Sequence, residues 1–436
     1  FDNSVHSGYD LPQKNCPICG EKLMTDGHNI PFEEFIAPSR KKLPKIKLDY
    51  SLSFGNDLLQ YLFKLLFIDD MFASNLYFCI MKSILVYLML VVSVTASAYV
   101  PKTGQRCRPK MTVLATEPRD GYDCRYITFR TEKNEWIKAY LLVPQVVQDE
   151  EKHPAVLMLH DHGARFDIGK EKLVRPMAEV LEDGAEDHIM KSSRQWIDKN
   201  FDGVYLADSL ASLGYVVLVA DALYWGERSS EDAQRWSELT YRNNPKTKSI
   251  KDTIKVLKNR VYDGQKVLYD ELYSRNVIWA EKMLRDDIAS MRLLKSLPFV
   301  DSKRIGAFGF SMGAHRCWML AAFCKDVKCG VALSWMTTLD REERMKASDY
   351  SMAIMPMREE MDFGDIGKYL APKPMLFLSG TTDHLFPKEK VKVAFEKLRK
   401  HYGDCPDKLE TLFFEGGHHC GKNVQRIIIE YFDNVL

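Results

Sequence analysis

The sequence carries no surplus of charge. Against 61 Lys and Arg stand 60 Asp and Glu, a net +1 over 436 residues. That balance removes the electrostatic case for nucleic acid or an anionic membrane as a partner. There is no internal repeat and no low-complexity block. A single Cys-x-x-Cys, Cys16 to Cys19, supplies half of a structural zinc site. His28 is near, but no second pair follows, so neither metal nor other cofactor is expected. The apolar run Ile84 to Val92 is too short to span a bilayer comfortably. What is abundant is core-forming material: 46% hydrophobic residues beside 28% charged ones. The length fits two or three domains, or one large domain with insertions.

The first 98 residues read differently from the rest. Met81-Lys82, the run Ile84 to Val92 and Ala96-Ser97-Ala98 have the order of a secretory signal: basic start, short apolar core, small residues at the cut. The expectation is that the natural protein starts at Met81, with residues 1–80 a fused or mis-joined segment and 81–98 the signal. Residues 99–436 would then be the catalytic domain, secreted or periplasmic, with no membrane partner once mature. The alternative is a genuine extension with a buried helix at 84–92, which Val92-Ser93-Val94-Thr95 would continue poorly. Within the first segment, the stretch from Ser7-Gly8-Tyr9-Asp10-Leu11-Pro12 through Asp26 to Phe35 resembles a short piece of the Gram-positive-type DNA polymerase III alpha subunit. The likeness spans about fifty residues, up to Pro44-Lys45-Ile46-Lys47, where that family turns acidic, and it implies no polymerase chemistry.

The remainder is organised around Gly309-Phe310-Ser311-Met312-Gly313, a G-x-S-x-G. The apolar segment Arg304 to Phe308 precedes it, and Ala314 to Phe323 follows with apolar residues at helical spacing. Strand, sharp turn, helix is the context a nucleophile elbow requires. A serine at that turn sits at a helix amino end, where the next N–H faces a developing oxyanion. The bland alternative is an ordinary glycine-rich strand-to-helix turn.

Around this stretch the chain alternates. Strands are predicted at 125–131 and 136–143 as an antiparallel pair, then at 154–160, 215–221, 305–310, 329–335, 374–379 and 409–414. Helices are predicted at 204–213, ending at Gly214, and at 386–400 and 421–434. Eight mostly parallel strands with helices between them make a three-layer α/β sheet. Two stretches interrupt it as helical insertions. Residues 164–200 show little periodic apolar signal. Residues 228–285 read as a long helical pattern, part of a cap beside the site, running on into the helix before the elbow strand.

Asp383 and His418 complete a serine-hydrolase constellation. In chain order Ser, Asp, His is the α/β-hydrolase order, and both fall just after predicted strands. Ser311 is read as nucleophile, His418 as base and Asp383 as the carboxylate that fixes its tautomer. Gly416-Gly417 lets the loop turn sharply before His418, so His418 rather than His419 is taken as the base. The oxyanion needs two N–H donors. Met312 supplies one; the other is assigned to His162 in the loop His160-Asp161-His162-Gly163, with Gly163 as the fallback. The H-x-H spacing there also suits a metal, but no third ligand is placed.

Leu159 to Phe166, Asp221 with Trp225 to Arg228, Gly309 to Arg316, Asp383 and Gly417-His418-His419 carry a family resemblance. From about residue 107 onward the chain resembles the dienelactone-hydrolase-like branch of the α/β-hydrolases, and within it the acetyl xylan esterases of gut Bacteroides. The resemblance implies an α/β-hydrolase fold and a secreted serine carboxylesterase acting on acetylated oligo- or polysaccharide. Dienelactone hydrolases proper use a cysteine where this chain has Ser311, which favours simple ester cleavage. A prolyl-oligopeptidase-like peptidase and an inactive hydrolase used as a binding module are the alternatives. No propeller domain is present for the first, and the Ser-Asp-His order argues against the second.

Tyr224, Trp225, Trp318 and Trp335 are candidates for a sugar-stacking wall, with Trp225 and Trp335 the better placed. Met312 and Trp335 are expected to limit the acyl chain. Glu227-Arg228 reads as an ion pair, Cys107 and Cys124 as a bridge in an oxidising compartment, and Cys420 as a buried small hydrophobe. A protein beginning at Tyr99 is expected to be as soluble and as active as the full chain. Circular dichroism and an ester assay on both compare them, and loss of folding in the shorter protein would overturn the fused-segment reading.

Overall fold

The computed structural model describes residues 99–104, 109–132, 135–145, 152–181, 186–242, 247–346 and 349–436. The Cys-x-x-Cys pair, the polymerase-like stretch, the signal-like run and Cys107 lie outside them. Two compact units divide the chain at Val100–Pro101, and all described residues but Tyr99 and Val100 fall in the one that runs to Leu436. Among them no helix is long and apolar enough to cross a membrane.

Among the described residues nine strands form one sheet: β1 (Met111–Arg119), β2 (Tyr122–Glu132), β3 (Glu135–Pro144), β4 (His153–Leu159), β5 (Val216–Ala220), β6 (Val300–Phe310), β7 (Cys329–Leu333), β8 (Met375–Gly380) and β9 (Leu409–Phe414). Their spatial order is β1-β2-β3-β5-β4-β6-β7-β8-β9. The first three strands are an antiparallel meander, β3 runs antiparallel to β5, and every later neighbour pair is parallel. This is the expected α/β-hydrolase architecture with one strand more. The extra strand, β1, escapes a reading of the sequence because it lies at the sheet edge. Val113 and Leu114 are exposed, and a register shift between Val113 and Ala115 breaks any alternation.

β4, β5, β7 and β8 read as unbroken apolar runs because both faces are covered. On one face Val156, Met158, Val217, Val219, Phe308 and Val331 pack against α1 (Glu186–Asn200), α2 (Leu206–Ser212) and α8 (Lys422–Val435). On the other lie α5 (Trp279–Ser296), α6 (Met312–Phe323) and α7 (Lys388–His401). Each fully buried Val, Leu or Phe contributes about 1.5–3 kcal/mol.

Residues 164–200 are not an excursion from the core. Phe166, Ile168, Leu173, Val174 and Met177 are completely buried, and α1 covers the sheet. It buries His188, Ile189, Ser192, Ser193, Trp196, Ile197 and Asn200, a helical spacing. Serines at two of those positions conceal the period from a reading of hydrophobicity. The second stretch is helical as expected: α3 (Glu231–Ser237), α4 (Lys248–Ser274) and α5, which covers the sheet ahead of β6. α4 buries only Leu257, Val261 and Gln265, a one-sided stripe at intervals of four.

Charges inside this frame are grouped. Lys170, with no exposed surface, lies 2.9 Å from Asp221, 2.9 Å from Glu171 and 2.8 Å from Glu227. Glu227 also meets Lys138 at 2.8 Å and accepts the hydroxyl of Tyr126. The expected Glu227–Arg228 pair does not form. Arg228 turns to Asp286 at 2.9 Å and Glu135 at 3.0 Å, since neighbouring residues of the Gly226–Arg228 turn diverge.

Burial pushes the Glu227 carboxyl up, but Lys170, Lys138 and Tyr126 outweigh it and hold it at about 2 against an ordinary 4.5. The stability this supplies is complete above pH 4.5 and is lost as pH falls through about 2. Glu227→Gln is therefore expected to lower the urea midpoint at pH 7. The gap to wild type should narrow below pH 4.5. A gap that is constant or widens on acidification contradicts the ion-pair account.

Candidate active site

Parallel register brings the ends of β4, β6, β7, β8 and β9 to one edge of the sheet. Leu159 of β4 pairs with Gly309 of β6, Phe310 with Leu333 of β7, Leu333 with Leu378 of β8, and Gly380 with Phe414 of β9. The loops leaving β4, β6, β8 and β9 carry His162, Ser311, Asp383 and His418. They open onto the crevice where ligands bind in open α/β sheets.

Ser311 follows β6 at φ 55°, ψ −123°, a backbone conformation that side chains other than glycine rarely adopt. The turn is forced by close approach of backbone to backbone. A Cβ on Gly309 would stand 1.8 Å from the Gly313 carbonyl oxygen, and one on Gly313 would stand 1.9 Å from that of Leu159. The Ser311 N–H donates to Leu333 O at 2.8 Å, and α6 begins with the Ala314 N–H on Ser311 O at 2.8 Å. Met312 is the first helical residue, so its N–H has no acceptor within the helix. Arg316 anchors this helix to α5 through a buried two-point pair with Asp287, at 2.6 and 3.0 Å. Nothing in the sequence marks Asp287 as its partner; only an arginine inside an apolar helix hints at one.

Asp383 and His418 meet. His418 Nδ1 donates to Asp383 Oδ2 at 2.8 Å, and Asp383 Oδ1 accepts the N–H groups of Leu385 at 2.9 Å and Phe386 at 3.3 Å. The carboxylate is buried and fixed on both oxygens. With Nδ1 as donor, His418 Nε2 carries the lone pair. The imidazole packs on Phe310, the residue before Ser311, at 4.8 Å between ring centres, and stacks on Phe386 at 5.9 Å. Among the described residues no hydrogen bond holds Ser311 Oγ, a contact that often tightens only when substrate is bound. His419 faces away, its Nε2 2.9 Å from Asp202. Cys420 is completely buried, and burial pushes its thiol well above the ordinary range, as befits a core residue.

The loop after β4 reaches the elbow, for the Gly313 Cβ position also lies 2.9 Å from His160 O. His160 is fully buried. Its Nε2 accepts the Ala222 N–H at 3.0 Å and its Nδ1 donates to Asp161 O at 2.9 Å, so both nitrogens are committed to the protein. His162 Nδ1 accepts the Ala164 N–H at 3.0 Å, and burial lowers its imidazole to about 3, so it is neutral. No group of three or more metal-ligating side chains occurs among the described residues.

The expected aromatic wall is not exposed. Trp225 has no accessible surface and uses its indole N–H on His162 O at 3.0 Å. Trp335 is 4% exposed, packed among His315, Trp318, Phe363 and Phe386. Tyr224 and Trp318 are buried as well. Tyr224 and Trp225 follow β5 and Trp335 follows β7, whereas Trp318 lies within α6, and all four rings are covered by the protein. Cys124, expected to bridge to Cys107, is a buried free thiol in the core.

A sequence model of the dienelactone hydrolase family matches residues 196–428, more than half of the chain. The chain belongs to that family. It is a serine ester hydrolase. This dienelactone hydrolase family member is similar to the Bacillus subtilis protein named "Putative hydrolase YtaP", 25% identical over 270 residues, 61% of this chain and 71% of that one. In structure it is similar to a glucuronoyl esterase from Solibacter usitatus, at 11% identity and TM-score 0.50 over 76% of this chain and 88% of that one. It is also similar to acetyl xylan esterase 1 from Thermoanaerobacterium sp. JW/SL YS485, at 13% identity and TM-score 0.44 over 76% and 89%. A separate 50-residue stretch is 54% identical to DNA polymerase III PolC-type of Lactococcus lactis, which is 12% of this chain and 3% of that protein.

The His418–Asp383 bond assigns each histidine a different fate. His418→Ala is expected to lower kcat by several decades, and Asp383→Asn by about 10⁴-fold, the loss seen when a triad carboxylate no longer fixes the tautomer. His419→Ala should leave kcat close to wild type and act on thermal stability through Asp202. Steady-state kinetics of the three variants on one acetate ester distinguish them, and a dead His419→Ala beside an active His418→Ala reverses the assignment.

Proposed function

We propose that this hydrolase is a secreted carboxylesterase that removes acetyl groups from plant polysaccharide through an acyl-enzyme. The observation that carries the catalytic reading is the 2.8 Å His418–Asp383 hydrogen bond, set at the same sheet edge as the strained Ser311. Ser311 Oγ attacks the ester carbonyl as His418 Nε2 takes its proton. The Met312 and His162 N–H groups bind the oxyanion. Collapse of the tetrahedral intermediate passes the proton from His418 to the departing sugar hydroxyl and leaves Ser311 acetylated. Water, deprotonated by the same imidazole, then releases acetate. The polysaccharide substrate is suggested by the resemblance of Leu159 to Phe166, Gly309 to Arg316 and Gly417-His418-His419 to acetyl xylan esterases, and secretion by the signal-like run at 81–98.

The test is hydrolysis of a chromogenic acetate ester and release of acetate from acetylated xylo-oligosaccharides, each with Ser311→Ala as control. Activity is expected on both, faster on acetate than on butyrate esters, and falling by several decades in Ser311→Ala. Faster cleavage of butyrate, or release of peptide amines without release of acetate, rejects the acetylesterase.

A further inference from the structure

Lys172, the last residue of the short Lys170–Lys172 turn, has no accessible surface. Burying an amine that carries charge is costly unless strong partners replace water. Its Nζ finds them in two consecutive main-chain carbonyls, Asp161 O at 2.9 Å and His162 O at 2.8 Å. It also lies 3.7 Å from the buried Asp161 Oδ2 and over the Trp196 ring at 5.2 Å. Each carbonyl has a second donor. Asp161 O accepts the His160 ring N–H at 2.9 Å, and His162 O accepts the Trp225 indole N–H at 3.0 Å. A carbonyl has two lone pairs, so both oxygens are fully used.

The consequence follows from the peptide group. In a trans peptide the C=O and the next N–H point in opposite directions. Pinning the carbonyls of Asp161 and His162 toward Lys172 turns the N–H groups of His162 and Gly163 to the other side of the loop. Neither N–H meets an acceptor among the described residues. Gly163 completes the geometry at φ 57°, where a Cβ would strike Trp196 at 2.3 Å. Successive N–H groups converging on one side of such a turn form an anion-binding concavity.

We propose that Lys172 is a positioning residue for oxyanion stabilisation: by gripping the carbonyls of Asp161 and His162 it presents the His162 and Gly163 N–H groups to the charged oxygen of the tetrahedral intermediate. This rests on the esterase reading above. Lys172 touches no substrate. It acts through the backbone, so its effect falls on the transition state rather than on ground-state binding.

The experiment compares wild type, Lys172→Met and Trp225→Phe. Active sites are counted by the end point of labelling with a fluorophosphonate, and kcat and KM on an acetate ester are expressed per labelled site. Inhibition by a trifluoromethyl ketone, whose adduct carries the oxyanion, is measured alongside. In Lys172→Met, kcat per site should fall about 10²–10³-fold, the loss expected for an oxyanion donor, with KM within about threefold. The ketone inhibition constant should rise in step with the loss of kcat/KM. Trp225→Phe removes the other donor to His162 O and should lower kcat per site about tenfold in the same pattern; it decides the matter if Lys172→Met yields no labelled protein. Unchanged kcat per site, with only the labelled fraction or the melting temperature reduced, makes Lys172 a structural lysine and overturns the proposal. An active wild type that Ser311→Ala does not abolish defeats the esterase reading itself, and this inference with it.

Discussion

The structure turns on one close approach of backbone to backbone. Where β4, β6 and α6 meet, there is no room for a single Cβ on Gly309 or Gly313. That contact forces Ser311 into its strained conformation and presses the loop after β4 against the elbow. Ser311, the proposed nucleophile, and the candidate oxyanion donors are therefore held on one rigid junction, which lets a small displacement matter in catalysis. The strain at Ser311 persists because the surrounding sheet over-determines it: its N–H is bound to β7 and its carbonyl opens α6.

Two lysines in one short turn illustrate how buried charge is divided. Lys170 faces carboxylates and ties the loop to Asp221 and Glu227 at the end of β5. Burial would lower its ammonium, but those acids raise it well above the ordinary range. Lys172 faces carbonyls and is lowered by burial. The first interaction joins elements of the fold, and the second shapes a backbone. Neither lysine is in a helix long enough to dictate its direction; the side chains diverge because the Lys170–Lys172 turn is three residues of tight helix.

Much of this was legible beforehand. The elbow, the strands feeding it and the Ser-Asp-His order stand in the sequence because each is a local pattern: apolar runs where both sheet faces are covered, and glycines where backbones touch. Strand β1 was not, since an exposed, bulged edge has no alternation to read. Helix α1 was not, since serines occupy two of its buried positions. The tryptophans were misread for a different cause. A strand's carboxyl end locates a residue near the crevice but does not say whether its ring points into the crevice or under it. Trp225 and Trp335 point under it.

By itself the sequence determined which residues could do ester chemistry, because nucleophile, carboxylate and base each follow a strand and each strand announces itself through its own apolar run. Tertiary structure alone decided which of them touch. The contact of His418 with Asp383, which Gly416-Gly417 only foreshadow, the Arg316–Asp287 anchor and the grip of Lys172 on two carbonyls join residues far apart in the chain or on different sides of a turn. Pairings of that kind depend on where the packed sheet points each side chain, a property no local pattern encodes.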